Sequence, residues 1–77
     1  MPRYFFHVHD GRDMPDEDGV ILSGVEDARA NAITAAAEAL KDLGPRFWGH
    51  PDWRMRVTDE QGAIVCELRL SNRPGTE

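Results

Sequence analysis

Residues 25–43 have the apolar spacing of an amphipathic helix, and this segment constrains the fold more than any other feature of the chain. Polar side chains occupy the opposite side of the same segment, at Asp27, Asn31, Thr34, Glu38 and Lys41. Ser23-Gly24-Val25-Glu26 before it predicts a capping box, and Gly44-Pro45 after it predicts the helix end. The side predicted to be buried consists of Val25, Ala28, Ala32, Ala36, Ala39, Leu40 and Leu43, with Ile33 and Ala35 flanking it.

A helix whose buried side is mostly alanine approaches its partner surface closely, so that surface must supply large side chains. Alternating apolar residues in 3–9, 53–58 and 63–70 predict three strands that supply them. The glycine-containing turn 59–62 joins the last two strands as a hairpin. The side chains predicted to face the helix are Tyr4, Phe6, Val8, Trp53, Met55, Val57, Ile64, Cys66, Leu68 and Leu70.

The remaining segments connect these elements. Residues 10–19 hold five acids, two glycines and a proline, which predicts a loop that Arg29 holds through Asp16 or Asp18. Residues 20–22 are either a brief returning strand or the entry to the helix, 46–52 are irregular, and 71–77 form a polar tail expected to be flexible.

This order of elements predicts an α+β fold in a single small domain, 1–77. One amphipathic helix packs on one face of a three- to four-stranded, mainly antiparallel sheet, in the order β-(β)-α-β-β. The other face of the sheet has no second helix to cover it.

With this layout the chain resembles a family of small bacterial domains of unknown function. The resemblance rests on the opening Pro2-Arg3-Tyr4-Phe5-Phe6-His7, the acidic stretch 16–19, the pair Ala28-Arg29 and the hairpin segment 57–62. It covers most of the chain up to about Leu70. It implies the order of elements and supplies no catalytic residue.

Composition limits the classes of protein that this chain can belong to. With 77 residues, the core must be thin, and self-association becomes a plausible source of further burial. One cysteine excludes an internal disulfide, and without a pair of Cys-x-x-Cys ligands no zinc ribbon forms. No apolar run is long enough to span a membrane, so we expect a cytoplasmic protein. A net charge of −5 argues against a general nucleic-acid binder.

Strand alternation places an unusual set of side chains on the uncovered face of the sheet. This face is predicted to carry four of the chain's 9 basic residues, only Glu67 of its 14 acids, and the apolar residue Val65. A protein with a net negative charge therefore presents a locally positive sheet face. The residues that we predict to form an interaction face are Arg3, Phe5, His7, His9, Arg54, Arg56 and Arg69.

Two functions fit such a face, and a merely solvated surface is the alternative to both. The first is a small protein-interaction module that associates with itself or with another protein through the face or an exposed strand edge. The second is an anion-binding or single-stranded nucleic-acid-binding domain, in which bases stack on Phe5 and phosphates pair with the arginines. The first is our prediction.

Motifs for chemistry are weak in this sequence. His7-Val8-His9 places two imidazoles on one side of a strand, a spacing found in metal sites, but the pattern supplies no third ligand. Phosphate-binding loops, nucleophile elbows and zinc-protease motifs are missing, and Cys66 has no evident activating base. We therefore predict that the protein is not an enzyme and uses no metal and no cofactor.

Overall fold

The computed structural model of the protein describes residues 1–73 and 75. Along the chain it has β1 (Arg3–His9), β2 (Asp13–Met14), β3 (Val20–Ile21), α1 (Val25–Leu43), a 3-10 helix (Gly44–Gly49), β4 (Trp53–Thr58) and β5 (Ile64–Leu70). The α+β prediction is confirmed. The sheet has five strands rather than three or four, because a short segment of the acidic loop also pairs with β1.

All strand pairs are antiparallel, and the main path of the sheet is β2-β1-β4-β5. The two short strands flank β1 at opposite ends: β3 pairs with its beginning and β2 with its end. Part of the predicted loop 10–19 therefore folds back along β1, and of the two alternatives for 20–22 the returning strand forms, over Val20–Ile21. At the opposite edge of the sheet in the described structure, β5 is the last strand.

The core lies between α1 and the sheet, and it is as thin as the composition predicts. In β4, buried and half-buried residues alternate along the strand, as the period of two requires. In β1 the same parity holds, since Tyr4 is buried while Phe6 and Val8 pack against the core. The buried residues are Tyr4, Ala28, Ala32, Ala36, Trp53, Met55 and Val57.

One prediction of side-chain direction is wrong at the start of β5. Val57 pairs with Cys66, whereas the next residue of β4, Thr58, pairs with Ile64, so Val65 is an extra residue in a β-bulge. The bulge reverses the parity of the strand end. Ile64, expected in the core, is 61% exposed, and Val65, expected on the open face, packs against the core.

The predicted capping box is also wrong. Gly24 is the residue at the N-terminal cap, and no side chain caps α1. The Ser23 hydroxyl instead donates to the carboxylate of Asp27, which also accepts from the Ser23 backbone N–H at 3.4 Å. Because Asp27 engages that hydroxyl, the serine is not free to cap the first turn.

Two residues predicted to lie on the buried side of α1 are at its rims instead: Val25 is 41% exposed and Leu40 is 38% exposed.

The C-terminal end of α1 agrees with the prediction. Gly44 has a φ of 56°, a conformation that favours glycine, and its N–H donates to the carbonyl of Leu40. A 3-10 helix then occupies Gly44–Gly49, so the first half of the segment 46–52, expected to be irregular, is helical. Asn72 ties the beginning of the predicted tail to this turn, since its side-chain amide donates to the carbonyls of Phe47 and His50 at 2.8 and 2.9 Å.

The predicted flexibility of 71–77 falls partly outside the described residues, and it stays a prediction. Within the described part of the chain, no helix combines the length and the apolar character needed to cross a membrane.

Candidate functional site

The register of β1, β4 and β5 arranges the open face of the sheet in three rows of three side chains, each row running across the strands. Six of the seven predicted interaction residues fall within this grid. Arg3, the seventh, lies at its margin, where its guanidinium donates to the carbonyl of Asp18 at 2.8 Å. The arginine row is His9, Arg54 and Arg69; the middle row is His7, Arg56 and Glu67; the outer row is Phe5, Thr58 and Ile64.

The arginine row places two like charges side by side. Arg54 and Arg69 are direct Cα partners across β4 and β5, and like charges in that position destabilise a sheet. Arg69 Nε lies 3.4 Å from a carboxylate oxygen of Glu67, two residues earlier on the same strand. In residues 1–73 and 75, the Arg54 guanidinium has neither a hydrogen bond nor an ion pair. It is therefore available to an acidic group from outside the chain.

The middle row is neutralised within the chain. Arg56 donates from Nε and Nη2 to one carboxylate oxygen of Glu67, at 3.1 Å each. These hydrogen bonds, with the nearby charges of Arg56 and Arg69, hold the pKa of the Glu67 carboxyl below its usual value. The positive charge that the sequence predicts for the whole face is therefore concentrated in the arginine row.

His7 links three parts of the fold through both of its ring nitrogens. Its Nδ1 accepts the backbone N–H of Asp16 at 3.1 Å, and its Nε2 lies 2.9 Å from the Thr58 hydroxyl oxygen. Because a backbone amide only donates, the neutral ring carries its proton on Nε2 and donates it to Thr58. His7 thus joins β1, the acidic loop and β4, and its nitrogens are occupied.

Phe5 is less accessible than the prediction requires. Its ring stacks on His7, with centroids 6.3 Å apart and planes 12° from parallel. Gly19 of the acidic loop passes over it so closely that a Cβ there would lie 2.9 Å from a Phe5 ring carbon. The loop and His7 therefore cover much of the ring that was expected to receive a base.

Asp16 fastens the acidic loop to β1, and its predicted ion pair with Arg29 does not form. Its carboxylate accepts three backbone N–H groups, from Phe6 at 3.1 Å and from Asp18 and Gly19 at 3.0 Å. Burial acts to raise the pKa of Asp16, but these three hydrogen bonds outweigh it and hold the pKa below its usual value. Arg29, expected to hold this loop, instead pairs with Glu26 on its own helix at 3.3 Å.

The folding of the loop also brings acids to the open face that strand alternation alone does not place there. Asp13, on β2, lies opposite His9, and its carboxylate oxygen is 2.7 Å from the His9 Nδ1. The expectation that Glu67 is the only acid on this side is therefore wrong. The sequence signal for the folding of the loop is the Asp-x-Asp-Gly pattern of 16–19, which is typical of a turn closed by an aspartate side chain, here that of Asp16.

Two clefts open on this face, and both involve the arginine row. The larger, of about 460 Å³, is lined by His7, His9, Arg54 and Arg56 among others, between β2 on one side and the end of the hairpin on the other. The smaller, of about 180 Å³, is lined by both members of the arginine pair together with His9, Asp52 and Trp53. Arg54 and His9 line both, which makes this end of the face the candidate binding site.

The chemistry available here is recognition of negatively charged oxygen atoms by guanidinium groups. Neither His7 nor His9 stands free, since each has a hydrogen-bond partner within the fold. Within the described residues there is no group of three or more His, Cys, Asp or Glu side chains positioned to hold a metal ion.

Comparison with models of protein families finds a match to a domain of unknown function, DUF6894, over residues 3–71. No curated protein and no solved structure matches the chain.

Proposed function

We propose that this chain, which belongs to the DUF6894 family of domains of unknown function, is a cytoplasmic protein-interaction module and not an enzyme. Its open sheet face binds an acidic segment of a protein partner, and the arginine row receives the acidic side chains. No metal or cofactor takes part in this function.

The observation that carries the proposal is the arginine pair. Arg54 and Arg69 lie directly opposite each other at a cost in stability, and among the described residues Arg54 has no partner that offsets its charge. Asp52 lines the smaller cleft but is not within ion-pair distance of either arginine in the described structure. A carboxylate from a partner protein, placed between the two guanidinium groups, relieves the repulsion and gains charge-assisted hydrogen bonds.

The same face supports the second candidate, anion or single-stranded nucleic-acid binding, less well. Base stacking needs an open aromatic ring, yet Phe5 is stacked on His7 and crossed by Gly19. Asp13 lies beside His9 at the rim of the larger cleft, and the chain has a net charge of −5, so a run of phosphates meets repulsion around the arginines. A protein segment that presents one or two carboxylates to the arginine row meets less of this repulsion than a strand with a charge at every nucleotide.

A titration followed by amide NMR shifts tests this proposal on the full chain. The probes are a tetraglutamate peptide, a tetralysine peptide and a short single-stranded oligothymidylate. We expect the tetraglutamate peptide to move the resonances of His9, Arg54 and Arg69, and added salt to reverse the shifts. Tetralysine should leave these resonances unchanged.

Matched variants separate the arginine row from general charge. Arg54→Ala is expected to weaken tetraglutamate binding about tenfold, which corresponds to the loss of one charge-assisted contact. Arg29→Ala removes the same charge on the helix, on the other side of the sheet, and should leave binding unchanged. Equal weakening by both variants contradicts a localised site, and stronger binding of the oligothymidylate favours the second candidate instead.

A further inference from the structure

We infer that a second copy of this chain pairs with the first along the free edge of β5, in an antiparallel register centred on Leu68. The two sheets then form one continuous sheet with both helices on the same side. This pairing goes beyond the proposed function, because it depends on β5 and the groove beside it and not on the binding of an acidic peptide at Arg54.

The first observation is an unpaired edge next to an apolar groove. β5 has seven residues and, among the residues that the structure describes, pairs with β4 alone, so one row of its backbone N–H and C=O groups faces outward. Beside this edge, α1 and β5 enclose a groove of about 220 Å³, lined by six apolar residues that include Ile33, Leu40, Leu68 and Leu70. Ile33 is 65% exposed and Leu40 38% exposed. An edge of this length beside exposed apolar side chains favours pairing with another strand.

The second observation is that charge selects one register. Antiparallel strands related by a two-fold axis pair so that opposite residues share a face, and Glu67 and Arg69 of the two copies lie directly opposite one another only when the axis lies at Glu67, at Leu68 or at Arg69. An axis at Glu67 sets Glu67 against itself, and an axis at Arg69 sets Arg69 against itself; both are repulsive. An axis at Leu68 sets Glu67 of each copy opposite Arg69 of the other.

This register also completes the arginine row. Beyond Arg54 and Arg69, the next side chain across the edge is Glu67 of the second copy, so a carboxylate adjoins the unfavourable arginine pair. On the other face, Leu68 meets Leu68 of the second copy, beneath the two helices. The same alignment therefore matches charges on the open face and apolar side chains in the groove.

The position of α1 is compatible with this arrangement. The helix contacts both β4 and β5. A helix midway between the two strands lies about 4.8 Å from the two-fold axis, so the two helices lie about 10 Å apart, a distance at which helices pack. Ile33 and Leu40, two turns apart on the exposed rim, then become buried between the helices. The thin core of a 77-residue chain makes this added burial valuable.

The test is the oligomeric state of the full chain, measured by sedimentation equilibrium over a hundredfold range of concentration. We expect a dimer for the natural sequence. Glu67→Arg and Arg69→Glu should each weaken dimerisation about tenfold or more, since each turns two attractive cross-strand pairs into two repulsive ones. Arg29→Glu, with the same change in charge as Arg69→Glu, should not.

Mixing the two variants provides the decisive comparison. In an equimolar mixture, Arg at position 67 of one chain lies opposite Glu at position 69 of the other, and Arg69 lies opposite Glu67, so a mixed dimer should recover most of the lost affinity. Circular dichroism establishes that each variant is folded. If a variant does not fold, hydrogen exchange of the natural chain takes the place of that variant's sedimentation measurement. Pairing should protect the outward backbone amides of β5 from exchange.

Three results overturn the inference: a monomeric natural chain at high micromolar concentration, variants that dimerise as well as the natural chain, or a mixture that stays monomeric. The two proposals fail separately. A tetraglutamate peptide that does not bind contradicts the proposed function and leaves the dimer standing. A monomeric chain that binds the peptide contradicts only the pairing of β5.

Discussion

Replacing Asp16 with asparagine is expected to loosen the acidic loop from β1, although the two side chains are nearly identical in shape. The Asp16 carboxylate accepts three backbone N–H groups, two on Oδ1 and one on Oδ2. An asparagine offers one oxygen and one NH₂ group, and the NH₂ group cannot accept a hydrogen bond. At least one of the three amides, that of Phe6, Asp18 or Gly19, therefore loses its acceptor and faces a second donor.

The size of the effect follows from the hydrogen bonds. A bond to a charged group contributes about 1.5–3 kcal/mol and a neutral one about 0.5–1.5 kcal/mol. Asp16→Asn removes one charged bond and leaves two neutral ones. Since Asp16 is only half-buried, we take a charged bond at the low end: the lost bond costs about 1.5 kcal/mol and the two that become neutral weaken by a few tenths each, a total loss of about 2 kcal/mol. For a domain of this size, such a loss lowers the melting temperature by roughly 8–16 °C.

Thermal unfolding at neutral pH, followed by circular dichroism, measures this loss. Asp18→Asn is the matched control: it makes the same change in charge two residues away, at a carboxylate that accepts no hydrogen bond within the described structure. We expect it to change stability by less than about 0.5 kcal/mol. If the two variants lower the melting temperature equally, the hydrogen bonds of Asp16 do not hold the loop, and the reasoning is refuted.

The dependence of stability on acidic pH tests the same carboxylate, that of Asp16. The pKa of Asp16 in the folded chain lies below its ordinary value of 3.8, so its contribution to stability is complete above that value and is lost as the pH falls through the folded pKa. We expect the natural chain to lose stability more steeply below pH 3.8 than Asp16→Asn does. Parallel acid limbs in urea unfolding contradict this assignment.

Two further substitutions test the packing. Val57→Ala removes two carbons at a fully buried position and should lower the free energy of unfolding by about 2–3 kcal/mol. Ile64→Ala should lower it by less than about 1 kcal/mol, because the bulge leaves Ile64 61% exposed. Equal losses for the two variants in urea unfolding contradict the bulge. Gly19→Ala should cost more than about 1 kcal/mol, because Gly19 has a φ of 72° and a Cβ would lie 2.9 Å from Phe5. A melting temperature unchanged by Gly19→Ala means that the loop does not cross the ring.

Periodicity predicted the main elements because it is a local property. In β1 and β4, a period of two assigns Tyr4 and Met55 to the core and His7 and Arg54 to the open face. In α1, the alanines at 28, 32 and 36 are buried for the corresponding helical reason. Nothing distant in the chain is needed for these assignments, and the predicted interaction face follows from them directly.

Where the predictions were wrong, a second contact competed with the local pattern. The capping box at Ser23 is a sound local signal, yet the carboxylate of Asp27 engages the serine. The bulge at Val65 changes the parity of β5, and alternating apolar letters carry no sign of it. Arg29 was a reasonable partner for the acidic loop until the loop supplied its own anchor in Asp16.

Backbone periodicity within each element was enough to predict the fold class, the helix with its alanine-rich buried side and most of the side chains on the open face; the bulge at Val65 and the folded loop changed the rest. Which of those side chains remain unpartnered depends on how the elements pack against one another. Glu67 neutralises Arg56, and the folded loop covers Phe5. Pairing depends on strand order and on contacts between residues far apart in the chain, and no spacing within one segment specifies them. Arg54 therefore stands out only once the strands are side by side.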